Sequence, residues 1–125
     1  MSNKPIGSPI DADTLRRMLA ASGTGLWDWR INEDAAYYSD EWRAIVGMPA
    51  GAFEPRIGFR LERIHPDDAA SVTSEFDIFL RGEAKSAPYI DFRIKRANGS
   101  WAQVRETVGI TERDSNGRPT RLTGM

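Results

Sequence analysis

Large apolar residues recur along the chain at two different spacings, and the spacing changes where the elements change. After a leader of about ten residues, which Lys4-Pro5, Gly7 and Ser8-Pro9 keep irregular and disordered, Leu15, Met18 and Leu19 stand at i, i+3 and i+4. With Arg16 and Arg17 on the opposite side, they predict a short amphipathic helix over residues 11 to 22, with Asp13 as N-cap and Ser22-Gly23 as its end. From Gly25 to Ile31 the period drops to two, as in a half-buried strand. Asn32-Glu33-Asp34 predicts a turn and Ala35 to Tyr38 a second short strand.

Ser39-Asp40-Glu41 then places a hydroxyl and two carboxylates where the positive end of a helix favours them. That helix is expected to carry Trp42, Ile45 and Val46 inward and to stop at Gly47. Met48 to Pro55 reads as a loop, and Ile57 to Ile64 as one or two helical turns. The strongest local signal is His65-Pro66-Asp67-Asp68. Pro66 suits a first helical position, where its missing N–H costs nothing, and the two aspartates meet the helix dipole. A longer helix follows to about Leu80, burying Val72, Phe76 and Phe79, and Gly82 closes it.

The last third alternates at period two. Ile90, Phe92 and Ile94 share one face of a strand, and Asn98-Gly99 predicts a type I′ hairpin turn. The return strand, Trp101 to about Arg113, places Ala102, Val104, Val108 and Ile110 on one face, and Asn116-Gly117 turns the chain into a final strand from Thr120. The order predicts an α+β fold, helices gathered on one face of a five-stranded antiparallel sheet.

At 125 residues one domain is expected. A formal net charge of −1 gives no long-range attraction for nucleic acid or an anionic membrane. The chain contains no cysteine, which removes disulfides, thiolate metal sites and cysteine nucleophiles and fits the cytoplasm. No apolar run has the length of a membrane span.

Gly25-x-Trp27-Asp28-Trp29, Tyr38-Ser39 with Trp42 and Ile45-Val46-Gly47, the His65-Pro66-Asp67-Asp68 helix start, Phe92-Arg93-x-x-Arg96-x-Asn98-Gly99, Gly117-Arg118-Pro119 and Leu122-x-Gly124 occur in an order and spacing that resemble the PAS domains of bacterial signalling proteins such as histidine kinases and diguanylate cyclases. The resemblance covers roughly residues 20 to 125. It implies a flanking helix over 11–22 and a PAS domain over 23–125, a module of signal transduction that senses a small molecule or a partner and relays the change, without catalysing a reaction, to an output domain following Met125, as in two-component systems. It also implies a homodimer paired through Leu15, Met18 and Leu19. Two departures stand out: Gln103-Val104 occupies a position where the family usually has Trp-Val, the aromatic standing instead at Trp101, and the chain ends before the family's Asp-Ile-Thr element.

If the fold holds a ligand pocket, the resemblance places it between the Trp42 helix, the Val72 helix and the sheet face carrying Ile90, Phe92 and Val104, with Trp29, Ile45, Phe59 and Phe76 as further candidates. Together with Trp27 these aromatics have a second reading as ordinary core. His65, the sole histidine, is read with Pro66, Asp67 and Asp68 as a structural helix start rather than as an acid/base or metal site. The family's usual haem-ligating histidine positions are empty, which argues against haem, and the absence of cysteine argues against light-driven flavin adducts; the cofactor is otherwise unknown. Alternation puts Glu106 on the face of Val104 and Val108, and a bulge or register change returning it to solvent is expected, the alternative being a buried group that reads a polar ligand. Arg93, Lys95, Arg96 and Arg105 on outer positions suggest an anion site, but exposed cross-strand ion pairs with Asp91 or Glu106 account for them more simply. Two rival functions remain: a ligand-free dimerisation module, and a small cone-shaped α+β isomerase or dehydratase, which would need an acid/base dyad in an open pocket.

Overall fold

The computed structural model describes residues 6–48, 55–83 and 89–125. The expected leader over 1–10 therefore lies partly outside the described residues, as does most of the loop expected between Met48 and Pro55. In chain order the elements are α1 (Ala12–Ser22), β1 (Trp27–Arg30), β2 (Ala35–Tyr38), α2 (Asp40–Val46), α3 (Ile57–Leu61), α4 (Pro66–Leu80), β3 (Ile90–Lys95), β4 (Trp101–Glu106), β5 (Val108–Arg113) and β6 (Pro119–Gly124). No helix among the described residues is long and apolar enough to cross a membrane.

Local chemistry sets most of the helix ends. Ser39 caps α2, its hydroxyl accepting from the Trp42 N–H, and His65 caps α4, its Nδ1 accepting from the Asp67 N–H at 3.1 Å. Asp11, not Asp13, caps α1: its carboxylate accepts from the Thr14 N–H at 2.7 Å. Asp13 lies inside the first turn, where it pairs with Arg16 and, at 3.0 Å, with Arg17. Gly23 ends α1 in the left-handed region, and the chain closes back on the Leu19 and Ala20 carbonyls.

The strands form a four-stranded antiparallel sheet in the order β2-β1-β6-β5 and a two-stranded β3-β4 sheet. The single return strand expected over 101–113 is thus two strands meeting at Thr107. The first half pairs with β3 and the second with β6, while Thr107 itself exchanges two 2.9 Å hydrogen bonds with Met125. The β3-β4 hairpin does not use the expected type I′ turn. In the β3-β4 turn Gly99 has positive φ but Asn98 does not; the Gly99 N–H reaches the Arg96 carbonyl and the Arg96 N–H the Ser100 carbonyl. This is a three-residue loop in which only its last residue is left-handed, and Asp114 to Arg118 repeat it.

Helices and the inner sheet faces enclose one aromatic core. Trp27 and Trp29 point inward from β1 onto Phe76 of α4, with ring centroids 5.6 and 6.0 Å away, and Tyr38 of β2 meets Trp42 of α2 at 4.3 Å. Leu122 and Val72 complete the layer almost without exposure. The Tyr38 hydroxyl donates to the Arg56 carbonyl at 2.7 Å, and burial pushes its pKa up to about 12. On the outer face, alternation leaves Asp28 beside Arg121, which also reaches Glu112. The Arg121 guanidinium holds the Asp28 carboxyl below its ordinary pKa. Helix α1 stands apart, with no residue fully buried.

Candidate functional site

A cavity of about 320 Å³ opens beside α2, at the small end of the roughly 300–1,000 Å³ typical of ligand pockets. Three kinds of group make its wall. Trp42, Ile45 and Val46 come from α2, and Phe92, Ile94 and Val104 from the inner faces of β3 and β4. The second group is the chain itself, at the α1-to-β1 link Gly23–Gly25 and at Met125 after β6. The third is a charged pair, Arg60 and Glu106.

That pair corrects the expectation that Glu106 returns to solvent. Strict alternation holds through the end of β4, so Glu106 is only 6% exposed, and it is stabilised there by groups that charge and hydrogen bonding make complementary. Arg60 of α3 is completely buried; its Nη2 donates to Glu106 Oε1 and its Nε to Oε2 at 3.1 Å, while Trp27 Nε1 donates to Oε2 at 3.0 Å. The guanidinium lies between the Trp27, Phe76 and Phe92 rings, with its central carbon 5.0, 4.9 and 5.4 Å from their centroids. Its Nη1 is buried without a hydrogen-bond partner.

The expected pocket residues divide between this cavity and the core. Trp42, Ile45, Phe92 and Val104 line the cavity, whereas Trp29, Phe59, Val72, Phe76 and Ile90 do not. Trp29, Phe59, Val72 and Phe76 are buried in the core, and Ile90 packs at its edge. Ile45 lines the cavity but is more exposed than an inward residue should be. Leu15 and Met18 are 51% and 53% exposed; with Leu19 partly buried, they leave the apolar stripe of α1 largely uncovered. Leu15 and Leu19, with Leu26 and Tyr37, line a second cavity of about 470 Å³ beneath that helix.

The other ionisable candidates are occupied elsewhere. Asp68 accepts from the Arg93 backbone N–H, Nε and Nη2, each at 2.9 Å, and these bonds bring its pKa down to about 2. Arg93 therefore ties α4 to β3 instead of pairing across the hairpin as expected. Arg105 does pair with Asp91, at 2.8 and 3.0 Å, while Arg96 donates to Ser100 and to the Trp101 carbonyl, and Glu106 takes Arg60. His65 packs against Trp101, 4.6 Å between centroids, away from the cavity. The described residues contain no cluster of three or more histidine, cysteine, aspartate or glutamate side chains able to hold a metal ion.

Two antiparallel sheets and their helices around one aromatic core, a flanking helix before the first strand and a cavity beside α2 define a small α+β domain with interior space. The family model described as PAS fold matches residues 35–125, and the chain belongs to that family. No curated protein matches the sequence. Among solved structures, it is similar to a sensory box histidine kinase/response regulator from Burkholderia thailandensis E264, with 25% identity over 88% of this chain and 79% of that one and a TM-score of 0.72. It is also similar to the N-terminal domain of a diguanylate cyclase with PAS/PAC sensor from Marinobacter aquaeolei, at 22% identity, 80% and 89% coverage and a TM-score of 0.67. A domain of a putative light and redox sensing histidine kinase from Haloarcula marismortui shares the fold at 16% identity, 88% and 94% coverage and a TM-score of 0.59.

Proposed function

We propose that this PAS domain takes up a small molecule in the cavity beside α2 and relays its presence to an output module joined after β6, of the histidine kinase or diguanylate cyclase kind. The observation that carries this reading is the composition of the wall: Gly23–Gly25, which leads out of α1, and Met125, which leads out of β6, border the same space. An occupant there touches both connections through which the domain can push or pull on its neighbours, and the shift it produces is limited by how differently it binds the two states. The side chains favour a largely apolar ligand with a polar group placed near Arg60 and Glu106. With no cysteine in the chain, a flavin–cysteinyl adduct is not the signal, and the cysteine-free composition suits the cytoplasm.

The test joins Met125 to the output region of a diguanylate cyclase and records native mass spectra, absorption and cyclase activity of the same preparation. A bound mass that disappears in Val104→Trp, together with altered cyclase output, supports the reading. Unliganded protein whose output ignores Val104→Trp overturns it. The exposed Leu15 and Met18 of α1 favour a second reading, a homodimerisation module without ligand, for which native spectra show twice the chain mass and nothing bound.

A further inference from the structure

One buried donor has no counterpart. Among the described residues, Arg60 Nη1 is the buried side-chain polar atom without a hydrogen-bond partner. The other two guanidinium nitrogens, Nε and Nη2, lie along one edge, and both donate to the Glu106 carboxylate. Nη1 stands at the third corner, off that edge, and carries two N–H bonds of its own. Leaving such a donor unmet in the interior is expensive, more so when it belongs to a charged group. The position is accounted for if something outside the core's own side chains meets it.

Arg60, Glu106, Trp27 and Phe92 all belong to the cavity wall. Among the described wall residues the other polar side chains are taken or turned outward: Thr24 Oγ1 shares a 2.7 Å hydrogen bond with Ser22, Arg105 is held by Asp91, and Gln103 is exposed. Trp27 and Phe92 flank the guanidinium and border the cavity as well. Trp27 is tied through its indole N–H to Glu106, whereas the Phe92 ring is held by packing alone and is the one that can turn aside for an entering group. Charge then fixes the character of that group. Glu106 already neutralises Arg60, so an incoming carboxylate would lose its hydration beside a second carboxylate with no cation left over. An uncharged acceptor meets Nη1 without that penalty.

We propose that Arg60 Nη1 reads an uncharged hydrogen-bond acceptor, a carbonyl oxygen, on a small and otherwise apolar ligand of the cavity, and that Glu106 enforces the choice by disfavouring acids. This selectivity rests on the reading of the cavity as a ligand site and narrows the class of molecule it takes. Trp42, Ile45, Val46, Ile94 and Val104 receive the apolar body, and about 320 Å³ limits that body to a compact one. Arg60 and Glu106 act as one unit: the carboxylate aims the guanidinium, and the remaining corner of the guanidinium meets the ligand.

The experiment uses probes of similar size: acetophenone, which carries a carbonyl acceptor, ethylbenzene, which has no polar atom, and benzoate, which is charged. Each is titrated into the isotope-labelled domain while the Trp27 and Trp42 indole N–H signals are followed by NMR. Acetophenone should bind at least about tenfold more tightly than ethylbenzene, on the scale of one hydrogen bond from a charged donor, and benzoate more weakly than acetophenone. In Arg60→Met/Glu106→Gln, which removes the donor and both charges, the preference for acetophenone over ethylbenzene should disappear. Equal affinities for acetophenone and ethylbenzene overturn the proposal, because Nη1 then rests against the aromatic rings alone. Tightest binding by benzoate overturns it too, as does a preference that survives in the double variant. The ranking in the unaltered domain decides by itself if that variant does not fold. Binding by none of the probes fails the cavity reading together with this proposal, whereas equal binding of ketone and hydrocarbon fails this proposal alone.

Discussion

Arg60 and Glu106, 46 positions apart in sequence, form a two-point ion pair inside the core, and the same Glu106 oxygen that accepts from Arg60 Nε also accepts from Trp27 Nε1. The pair links α3, β4 and β1 at one point. Removing one partner leaves an uncompensated buried charge, so Arg60→Met or Glu106→Gln should each destabilise the domain by roughly 3–5 kcal/mol. The double variant Arg60→Met/Glu106→Gln removes both charges and keeps an acceptor for Trp27. It should be more stable than either single variant, with a coupling of about 1–3 kcal/mol. Urea unfolding followed by tryptophan fluorescence measures all four corners of the cycle.

Gly124 lies against the same indole of Trp27. A Cβ there would lie 2.2 to 2.5 Å from the indole ring, and that ring is fixed by near-complete burial and by its bond to Glu106. Gly124→Ala should therefore cost about 1–3 kcal/mol through overpacking. Gly109→Ala is the control, because no atom lies within 4 Å of its added Cβ, and its effect should stay within about 0.5 kcal/mol. Thermal unfolding of the two variants side by side separates the steric cost from any general cost of replacing glycine in a strand.

The same residues show how far sequence carries and where it stops. Helix starts at Ser39 and Pro66, the ends at Gly23 and Gly47 and the alternation of β1 and β3 are written in local chemistry, and the structure follows them. Alternation also placed Glu106 on the inner face; only the inference that an inner carboxylate must escape to solvent failed. Its partner Arg60 sits in a short helix with no signal pointing 46 residues ahead, so the compensation was invisible. The break at Thr107 carries no glycine or proline, and comes instead from two neighbours claiming successive halves of one strand. The choice of Asp11 over Asp13 as cap, and of turn type, depends on a one- or two-residue phase that periodicity does not resolve.

The Asp68–Arg93 contact gives stability a defined acid limb. Hydrogen bonds from Arg93 lower the Asp68 pKa from 3.8 to about 2, so the folded state favours the ionised carboxylate. Its contribution is complete above the unfolded value and is lost as pH falls from about 4 to 2. Asp68→Asn should be less stable than the parent at neutral pH, and the gap should close across that window. Denaturation midpoints of the two proteins at several pH values between 2 and 6 check this, and a gap independent of pH would show that the charge contributes nothing.

Tyr38 supplies the opposite limb. Its phenol is buried against Trp42 and Phe59 and donates to the Arg56 carbonyl, and burial raises its pKa from 10.0 to about 12. A raised value means that the fold prefers the neutral phenol, so its stabilisation is fully present below pH 10 and is lost as pH rises toward 12. The alkaline loss should amount to roughly 1–3 kcal/mol, from a shift of about two units. Tyr38→Phe keeps the ring in place, forfeits about 1 kcal/mol with the hydrogen bond at neutral pH and lacks the phenol's alkaline step. The parent should therefore start more stable, converge with Tyr38→Phe and fall below it as pH approaches 12. Parallel unfolding profiles through that range would mean that the folded state tolerates the phenolate, against the burial seen at the centre of the core.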